Sequence, residues 1–381
     1  NEKYVKNSLA EFINDADMLS MGAQCFEFEK EFSQIQGTPY SVLFNSGGSA
    51  NLAMMQTLKN LGKVKDNDFV GFSALTWSTN VMPIIQLKMN PVPIDCLFET
   101  LNISSTHLKL MLKKYPIKVL FITNALGFSA DLNEVKNICD EEGIILLEDN
   151  CESLGTELYT GKTGNFGQMS SFSFYVAHHM STIEGGMVAA ENEEYQQMLK
   201  IVRANGWDRN LSANQQHKLR SRHEISNEFD AKYTFYDLGY NLRPTEITGY
   251  LGRLQLPYLH EIVNKREANY ITLEENVKRN NELHLTERSH IKKLSNFAFP
   301  VVCETPTDRA KYISQFSGAG VEIRPMIAGN ITKQPFFKKY CPLDILLPGT
   351  EKLSQNSFYF GNYAELTESD LEILSSCLTP Y

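Results

Sequence analysis

The chain has 381 residues, of which 42% are hydrophobic and 21% are charged. This composition is typical of a globular protein with one large core and a smaller domain. The net charge is −9 and Lys and Arg form no long basic run, which argues against nucleic acid as a partner. No stretch reaches the apolar length of a membrane span. The polar N-terminal segment, residues 1–14, does not resemble a signal peptide. The seven cysteines lack C-x-x-C spacing, so we expect reduced thiols, no bound metal and a cytoplasmic location.

Short apolar runs alternate with helix-length amphipathic stretches along the first half of the chain. This alternation predicts an α/β fold with a largely parallel or mixed buried sheet. The predicted strands are residues 41–44, 69–72, 93–95, 119–123, 144–148, 169–174 and 187–190. The predicted helices between them include residues 51–60, 77–88, 132–142 and 193–204.

The second half of the chain is less regular. Residues 207–236 are polar and predict an irregular surface excursion that serves as a lid or a dimer arm. Residues 244–280 follow a long helical pattern that opens at Pro244. We therefore expect a large α/β domain over residues 1–260 and a small C-terminal α+β domain over residues 261–381.

The first segment that could take part in binding or catalysis is Asn-Ser-Gly-Gly-Ser-Ala at residues 45–50, between a predicted strand and a predicted helix. Gly47, Gly48 and Ser49 at a helix start offer backbone N–H groups, hydroxyl groups and the positive end of the helix dipole. Such a segment suits a phosphate. The alternative is a plain helix cap with a flexible turn.

The second segment is the end of the apolar strand at Glu148 and Asp149, followed by Glu152. Ligands of open α/β sheets bind at the carboxyl ends of strands. A carboxylate there can hold a ring nitrogen in its protonated form, as enzymes that use pyridoxal phosphate (PLP) require. The alternative is an acidic strand end that faces solvent.

The third segment places the pair His178 and His179 between an apolar strand and a Glu-Gly-Gly turn. Histidine transfers protons near neutral pH. The alternative is a pair that is packed or lies on the surface. A metal site is less favoured, because no third ligand follows at a suitable spacing.

The fourth segment is Gly-Tyr-Asn-Leu-Arg-Pro at residues 239–244. Arg243 lies beside the start of a predicted helix and could bind a carboxylate or a phosphate with two hydrogen bonds. The alternative is a surface ion pair.

Together, and in this order, the four segments resemble the sugar aminotransferase family of fold-type I PLP enzymes, which act on nucleotide-linked keto-sugars. The resemblance extends from about residue 22 to residue 330. It implies an aspartate aminotransferase-like fold, with a mostly parallel, seven-stranded mixed sheet in the large domain and a smaller α+β C-terminal domain. It also implies a homodimer with shared active sites.

The resemblance implies which residues hold the phosphate of the cofactor. Gly47, Gly48 and Ser49 match the phosphate loop, although Gly48 stands where the family usually has Thr, so one hydroxyl contact is lost. Ser173 matches a phosphate-binding serine. Asn241 matches the asparagine that reaches the phosphate in the neighbouring subunit.

The resemblance also implies which residues hold the pyridine ring. Trp77 matches the residue that stacks on the ring, Asp149 the partner of the ring nitrogen and Glu152 the residue near the ring hydroxyl.

The main departure from the family is His178, which stands where the family has its Schiff-base lysine. No lysine occurs between Lys162 and Lys200, and imidazole cannot form the covalent link that lysine forms. The exchange resembles the 3-dehydratases of 4-keto-6-deoxy sugars. The kind with an iron–sulfur cluster has closely spaced cysteines after this histidine, whereas here the next cysteine is Cys303. The chain therefore resembles the kind without a cluster, which acts on GDP-4-keto-6-deoxymannose.

This resemblance implies a reaction that uses PLP, its pyridoxamine form and L-glutamate as amino donor. The substrate is a nucleotide-linked, GDP-activated 4-keto-6-deoxy hexose or heptose. The products are a 4-keto-3,6-dideoxy sugar, ammonia and 2-oxoglutarate, for lipopolysaccharide or capsule synthesis. His178 is the expected catalytic residue, and Arg243 and Arg324 are expected to bind substrate, with structural ion pairs as the alternative.

Three other functions remain open at this stage. The chain could be a nucleotide-sugar aminotransferase that uses His178, a non-catalytic protein that binds PLP or a sugar, or an iron–sulfur dehydratase with displaced ligands.

Overall fold

A computed structural model describes residues 2–341 and 343–380. The strands are β1 Tyr40–Phe44, β2 Phe69–Ser73, β3 Asn90–Ile94, β4 Ile117–Thr123, β5 Ile145–Asp149, β6 Glu157–Leu158, β7 Gly161–Lys162, β8 Met169–Ser173, β9 Gly186–Ala190, β10 Ile291–Lys293, β11 Ala298–Val302, β12 Ile323–Pro325 and β13 Ser357–Gly361. The helices are α1 Glu2–Asp15, α2 Ala23–Gln36, α3 Gly47–Asn60, α4 Met82–Gln86, α5 Ser105–Leu112, α6 Leu132–Glu142, α7 Glu193–Arg203, α8 Ala213–Arg222, α9 Glu228–Ala231, α10 Glu246–Gln255, α11 Leu259–Lys278, α12 Pro306–Gly318, α13 Pro335–Tyr340, α14 Pro348–Asn356 and α15 Glu368–Cys377.

The main sheet has seven strands in the order β1-β9-β8-β5-β4-β2-β3. Strands β3, β2, β4 and β5 pair in parallel, whereas β9 is antiparallel to both β1 and β8. The α/β class and the mixed seven-stranded sheet expected from the sequence are therefore confirmed. Each predicted strand overlaps an observed one, because the continuous apolar runs mark strands that are buried on both faces.

The chain divides into two compact units. Unit 1 comprises the described residues up to Asp66 together with Gln168–Pro257, and unit 2 comprises Asn67–Gly167 together with the described residues from Tyr258 onward. The domain division expected at residue 260 stays a prediction.

Unit 1 has an aromatic core between helix α2 and strand β8. The ring of Phe32 lies 5.0 Å from that of Phe172 and 5.8 Å from that of Phe174, between ring centroids. Phe28 packs against the rings of Phe32 and Phe174.

Helix α2 begins without a side-chain cap of its own, and a carboxylate from helix α10 takes that role. Glu246 is 7% exposed and accepts hydrogen bonds from the backbone N–H groups of Gly22 (2.8 Å), Gln24 (3.0 Å) and Cys25 (3.2 Å). An anion at this position also interacts favourably with the helix dipole.

Replacing Glu246 by alanine should lower the free energy of unfolding by about 3 kcal/mol, because it leaves partly buried N–H groups without an acceptor. Urea denaturation of the apoprotein measures this. The control is Glu261→Ala, which removes an exposed pair with Lys265 and should change stability by less than about 1 kcal/mol. Equal effects of the two substitutions would contradict the capping role.

Unit 2 contains two small sheets, in the orders β10-β6-β7 and β11-β13-β12. The second sheet packs with helices α12 and α15 around a core that includes Phe299, Phe316, Phe358 and Phe360. All seven cysteines of the chain are free thiols. No helix in the described ranges has the length and apolar character needed to cross a membrane.

The expectation of an irregular segment over residues 207–236 is wrong in part, because it contains helices α8 and α9. Helix α8 begins with a capping box between Ser212 and Gln215. This short-range signal stabilises a helix start within a polar sequence that lacks apolar periodicity.

The expected helix over residues 244–280 is two helices, α10 and α11, separated by a 3₁₀ turn at Leu256–Tyr258. Pro257 lies in this turn, and proline has no N–H group to continue a helix. Pro244 precedes the capping residue Thr245 instead of occupying the first turn. The expected helix over residues 77–88 likewise reduces to a 3₁₀ turn, Ser78–Asn80, and the short helix α4.

Candidate active site

In unit 1, Asn45 and Ser46 form the turn between β1 and α3, and residues 47–50 form the first turn of α3. Ser46 caps the helix, and its Oγ accepts a hydrogen bond from the N–H of Ser49 at 3.0 Å. The first N–H groups of a helix have no acceptor within the helix, so a turn of this kind can bind an anion. A Cβ atom on Gly186 would lie 2.2 Å from the carbonyl oxygen of Ser46. Only glycine therefore permits the start of β9 to lie against this turn.

The register of the strands places Ser173 at the same end of the sheet as this turn. Phe44 and Ser173 are both partners of Gly186, one from each side. The Oγ of Ser173 accepts a hydrogen bond from the N–H of Tyr175 at 3.3 Å, which leaves its own O–H as a donor.

Residues 241–243 also lie beside this turn. The N–H of Asn45 donates to the carbonyl oxygen of Leu242 at 3.0 Å, so Asn241 and Arg243 flank a residue in contact with the turn. Asn241 is exposed and Arg243 is half-buried. The contact of Asn241 with a second subunit stays a prediction.

His178 lies in the loop between β8 and β9. Two backbone hydrogen bonds, each of 2.9 Å, close this loop: Phe174 N–H to Gly185 C=O and Thr182 N–H to Phe174 C=O. His178 is half-buried, whereas the neighbouring His179 is only 4% exposed. The structure thus distinguishes the two histidines, because His179 is the packed member and His178 is accessible.

In unit 2, Asp149 ends strand β5 and is 4% exposed. Its Oδ1 accepts from the N–H of Cys151 at 2.9 Å, and its Oδ2 accepts from the side-chain amide of Asn80 at 2.8 Å. Asn80 ends the 3₁₀ turn that follows Trp77, and its N–H donates to the Trp77 carbonyl oxygen at 3.2 Å. This turn connects Trp77 to Asp149. Trp77 as a whole residue is 56% exposed, which leaves its side chain available for stacking.

Glu152 follows Asp149 on the next turn and is half-buried. Its Oε2 accepts from the N–H of Leu126 at 2.7 Å. Burial, together with the negative charge of Asp149, raises the pKa of Glu152 to about 7. Near neutral pH, a large fraction of this carboxyl group is therefore protonated and can donate a hydrogen bond.

Replacing Glu152 by glutamine should remove part of the pH dependence of stability. The raised pKa means that the folded protein keeps a proton which the unfolded chain releases, so the stabilisation is complete below about pH 4.5 and is lost as the pH rises through 7. Relative to Glu152→Gln, the wild type should lose up to about 3 kcal/mol between pH 5 and pH 8. Urea denaturation of both apoproteins at the two pH values measures this, and a constant difference would contradict the raised pKa.

Arg324 lies on strand β12, opposite Tyr359 on β13. Burial raises the pKa of Tyr359 to about 12, with a further rise from Glu152 and an opposing effect of Arg324. The charges of Glu152 and Arg324, two of the predicted site residues, thus both affect the pKa of Tyr359. The guanidinium of Arg324 is exposed and pairs with Glu322, and its role in substrate binding stays a prediction.

The segment that follows Arg324 lies beside the Trp77 segment. Asn330 forms a β-bridge with Leu75, and the N–H of Ile331 donates to the carbonyl oxygen of Ala74 at 3.2 Å. The structure therefore brings the C-terminal segment, residues 322–335, to the loop that carries Trp77.

Three residues near the predicted site were not identified from the sequence: Asn80, Leu126 and Tyr359. Asn80 lay inside a predicted helix, and the other two contact site residues through long-range packing that has no local sequence signal. Within residues 2–341 and 343–380, no group of three or more His, Cys, Asp or Glu side chains could hold a metal ion.

Comparison with known proteins supports one family for the whole chain. The model of the DegT/DnrJ/EryC1/StrS aminotransferase family matches residues 2–379. The GDP-4-keto-6-deoxy-D-mannose 3-dehydratase of Yersinia pseudotuberculosis is 31% identical over 92% of this chain and 89% of its own length.

Two crystal structures of GDP-4-keto-6-deoxymannose-3-dehydratase are similar to this chain, each with 28% identity. A histidine-to-asparagine variant with bound GDP-perosamine has a TM-score of 0.91 and is matched over 98% of this chain and 97% of its own. A structure with a trapped PLP-glutamate geminal diamine has a TM-score of 0.90 over the same shares. The expected fold-type I architecture is thereby confirmed, and the chain belongs to the DegT/DnrJ/EryC1/StrS aminotransferase family.

Proposed function

We propose that this chain is a PLP- and glutamate-dependent 3-dehydratase of a nucleotide-linked 4-keto-6-deoxy sugar, with GDP as the nucleotide. The observation that carries the proposal is His178. It replaces the lysine of the family, is the accessible member of its pair and follows the strand that ends at Ser173. The relative and the solved structures that carry the 3-dehydratase name support the same function.

Each unit carries residues whose chemistry suits one part of PLP. In unit 1, the α3 N-terminus with Ser46 and Ser49, together with the Ser173 hydroxyl, suits a phosphate dianion. Because Gly186 has no side chain, its backbone can lie against this turn without a Cβ atom that would clash with the Ser46 carbonyl oxygen. In unit 2, the carboxyl group of Asp149 suits a protonated ring nitrogen, Glu152, with its pKa raised to about 7, suits the ring hydroxyl, and Trp77 suits stacking on the ring face. Several charge-assisted contacts of this kind can replace a covalent link.

When bound, PLP supplies an electron sink and carries the amino group of glutamate to the ketone of the sugar. His178 would act as the general base that moves the proton from Cα of glutamate to C4′ of the cofactor. In the second half of the reaction, the same imidazole would remove a proton from C4′ and protonate the C3 hydroxyl of the sugar, which leaves as water. Asp149 would hold the ring nitrogen in its protonated form.

The histidine also explains why deoxygenation is expected and transamination is not. In the lysine enzymes, the amine delivers a proton to C4 of the sugar and completes an amino sugar. His178 would move protons among Cα of glutamate, C4′ of the cofactor and the C3 hydroxyl, so C4 of the sugar receives no proton and its nitrogen is released by hydrolysis as ammonia.

The overall reaction is balanced. Glutamate is oxidised by two electrons to 2-oxoglutarate, and its nitrogen leaves as ammonia. The two electrons reduce C3 of the sugar, and the sugar loses one oxygen atom. We also propose that the enzyme is a homodimer with shared sites that supplies a dideoxy sugar for lipopolysaccharide or capsule.

The half-reaction with glutamate separates catalysis from simple binding. Apoprotein mixed with PLP and glutamate, without sugar, should produce one 2-oxoglutarate per bound PLP, measured with a coupled dehydrogenase assay. A non-catalytic binding protein would produce none. Sedimentation equilibrium of the apoprotein tests the homodimer, and a monomer would contradict that part of the proposal.

A further inference from the structure

Asn80 is a buried residue that the proposed mechanism leaves without a role. It has no exposed surface, and its amide Nδ2 donates to Oδ2 of Asp149 at 2.8 Å. Its Oδ1 has no hydrogen-bond partner in the described part of the chain. A buried carbonyl oxygen without a partner is destabilising, so fold stability does not explain an asparagine at this position.

Asp149 also has contacts with a residue near it in sequence and with the adjacent strand β4. Its backbone is fixed by pairing with Thr123 on β4 and by the N–H of Asn124, which donates to its carbonyl oxygen at 3.0 Å. The N–H of Cys151, two residues later, donates to Oδ1. Asn80 supplies a donor to the second carboxylate oxygen from a distant segment, so the two donors together fix the plane of the carboxylate.

The position of Asn80 also couples this carboxylate to Trp77. Asn80 follows Trp77 by three positions, and the 3₁₀ turn is closed by the hydrogen bond from Asn80 N–H to the Trp77 carbonyl oxygen. One 3₁₀ turn therefore follows Trp77 directly and carries the donor to Asp149.

We infer that Asn80 is a positioning residue for Asp149. Its amide orients the carboxylate so that a lone pair of Asp149 meets the N–H of a pyridinium ring that stacks on Trp77. This inference rests on the proposed function, because it assumes that Asp149 is the partner of the ring nitrogen.

The test compares two ligands that differ in one ring atom: PLP and its 1-deaza analogue, in which carbon replaces the ring nitrogen. Binding to apoprotein is measured by quenching of tryptophan fluorescence. In the Asn80→Leu variant, the dissociation constant for PLP should rise at least about tenfold, since a hydrogen bond to a charged group loses its alignment. The constant for the deaza analogue should change much less, because that ligand has no N–H for Asp149 to accept.

A matched control distinguishes positioning from general damage. Asn280 is also buried, and its amide donates to the Tyr312 hydroxyl and the Leu378 carbonyl oxygen, both at 2.6 Å. Asn280→Leu should lower the melting temperature without changing the affinity for either ligand. Asn80→Ser, whose side chain is too short to reach Asp149, should repeat the selective loss if Asn80→Leu fails to fold.

Each outcome decides the inference. A selective loss of PLP affinity supports it. Equal losses for both ligands, or no loss for either, would overturn the positioning role and leave the proposed function intact. Wild-type protein that binds neither ligand would overturn both.

Discussion

Replacing His178 by asparagine should lower the rate of sugar deoxygenation by about 10³-fold, because a general acid and base contributes about 10²–10⁴-fold. Asparagine has a similar size but cannot exchange protons near neutral pH. The affinity for PLP should stay within a few-fold of wild type, since the residues proposed to hold the cofactor are unchanged. The rate is measured as ammonia release, with PLP, glutamate and a GDP-linked 4-keto-6-deoxy sugar.

His179→Asn is the matched control for this prediction. It makes the same chemical change at the adjacent residue, which is packed and 4% exposed. Its turnover should remain within a few-fold of wild type once the folded fraction is taken into account. If both variants lost activity equally, proton transfer could not be assigned to His178.

The second large effect is expected at Asp149. Asp149→Asn keeps the shape of the side chain but removes the negative charge that stabilises a protonated ring nitrogen. Loss of a preorganised electrostatic contact of this kind lowers turnover by about 10²–10³-fold. The effect should appear in both half-reactions, because both need the ring as an electron sink.

The production of 2-oxoglutarate in a single turnover measures the first half-reaction. The control is Asp140→Asn, which changes an exposed carboxylate paired with Lys136 and should leave the rate unchanged. A variant at Asp149 with normal turnover would show that the ring nitrogen has another partner.

The parts of the fold that the sequence predicted correctly depend on local patterns. Continuous apolar runs marked the strands of the seven-stranded sheet. The polar segments directly after β1, β5 and β8 marked candidate site residues. Because Phe44 and Ser173 share Gly186 as a partner in the sheet, two segments far apart in sequence meet at one end of it. The sequence order of the motifs was sufficient to identify the family.

The parts that were missed depend on interactions without a local pattern. The donor from Asn80 to Asp149 spans 69 residues. Leu126 presents its N–H to Glu152 from a backbone with a φ of 54°, in the left-handed region that a leucine side chain disfavours. Helical periodicity did not predict the break between α10 and α11 at Pro257. It also did not predict the helices within residues 207–236.

The most direct test of the central claim measures ammonia and the mass of the sugar in one reaction. Purified protein is mixed with PLP, glutamate and a GDP-linked 4-keto-6-deoxy sugar, with His178→Asn as the inactive control. A 3-dehydratase releases one ammonia per sugar consumed and yields a sugar lighter by one oxygen atom, and the control yields neither. An amino sugar formed without ammonia would contradict the proposal and identify an aminotransferase that works with histidine in place of lysine.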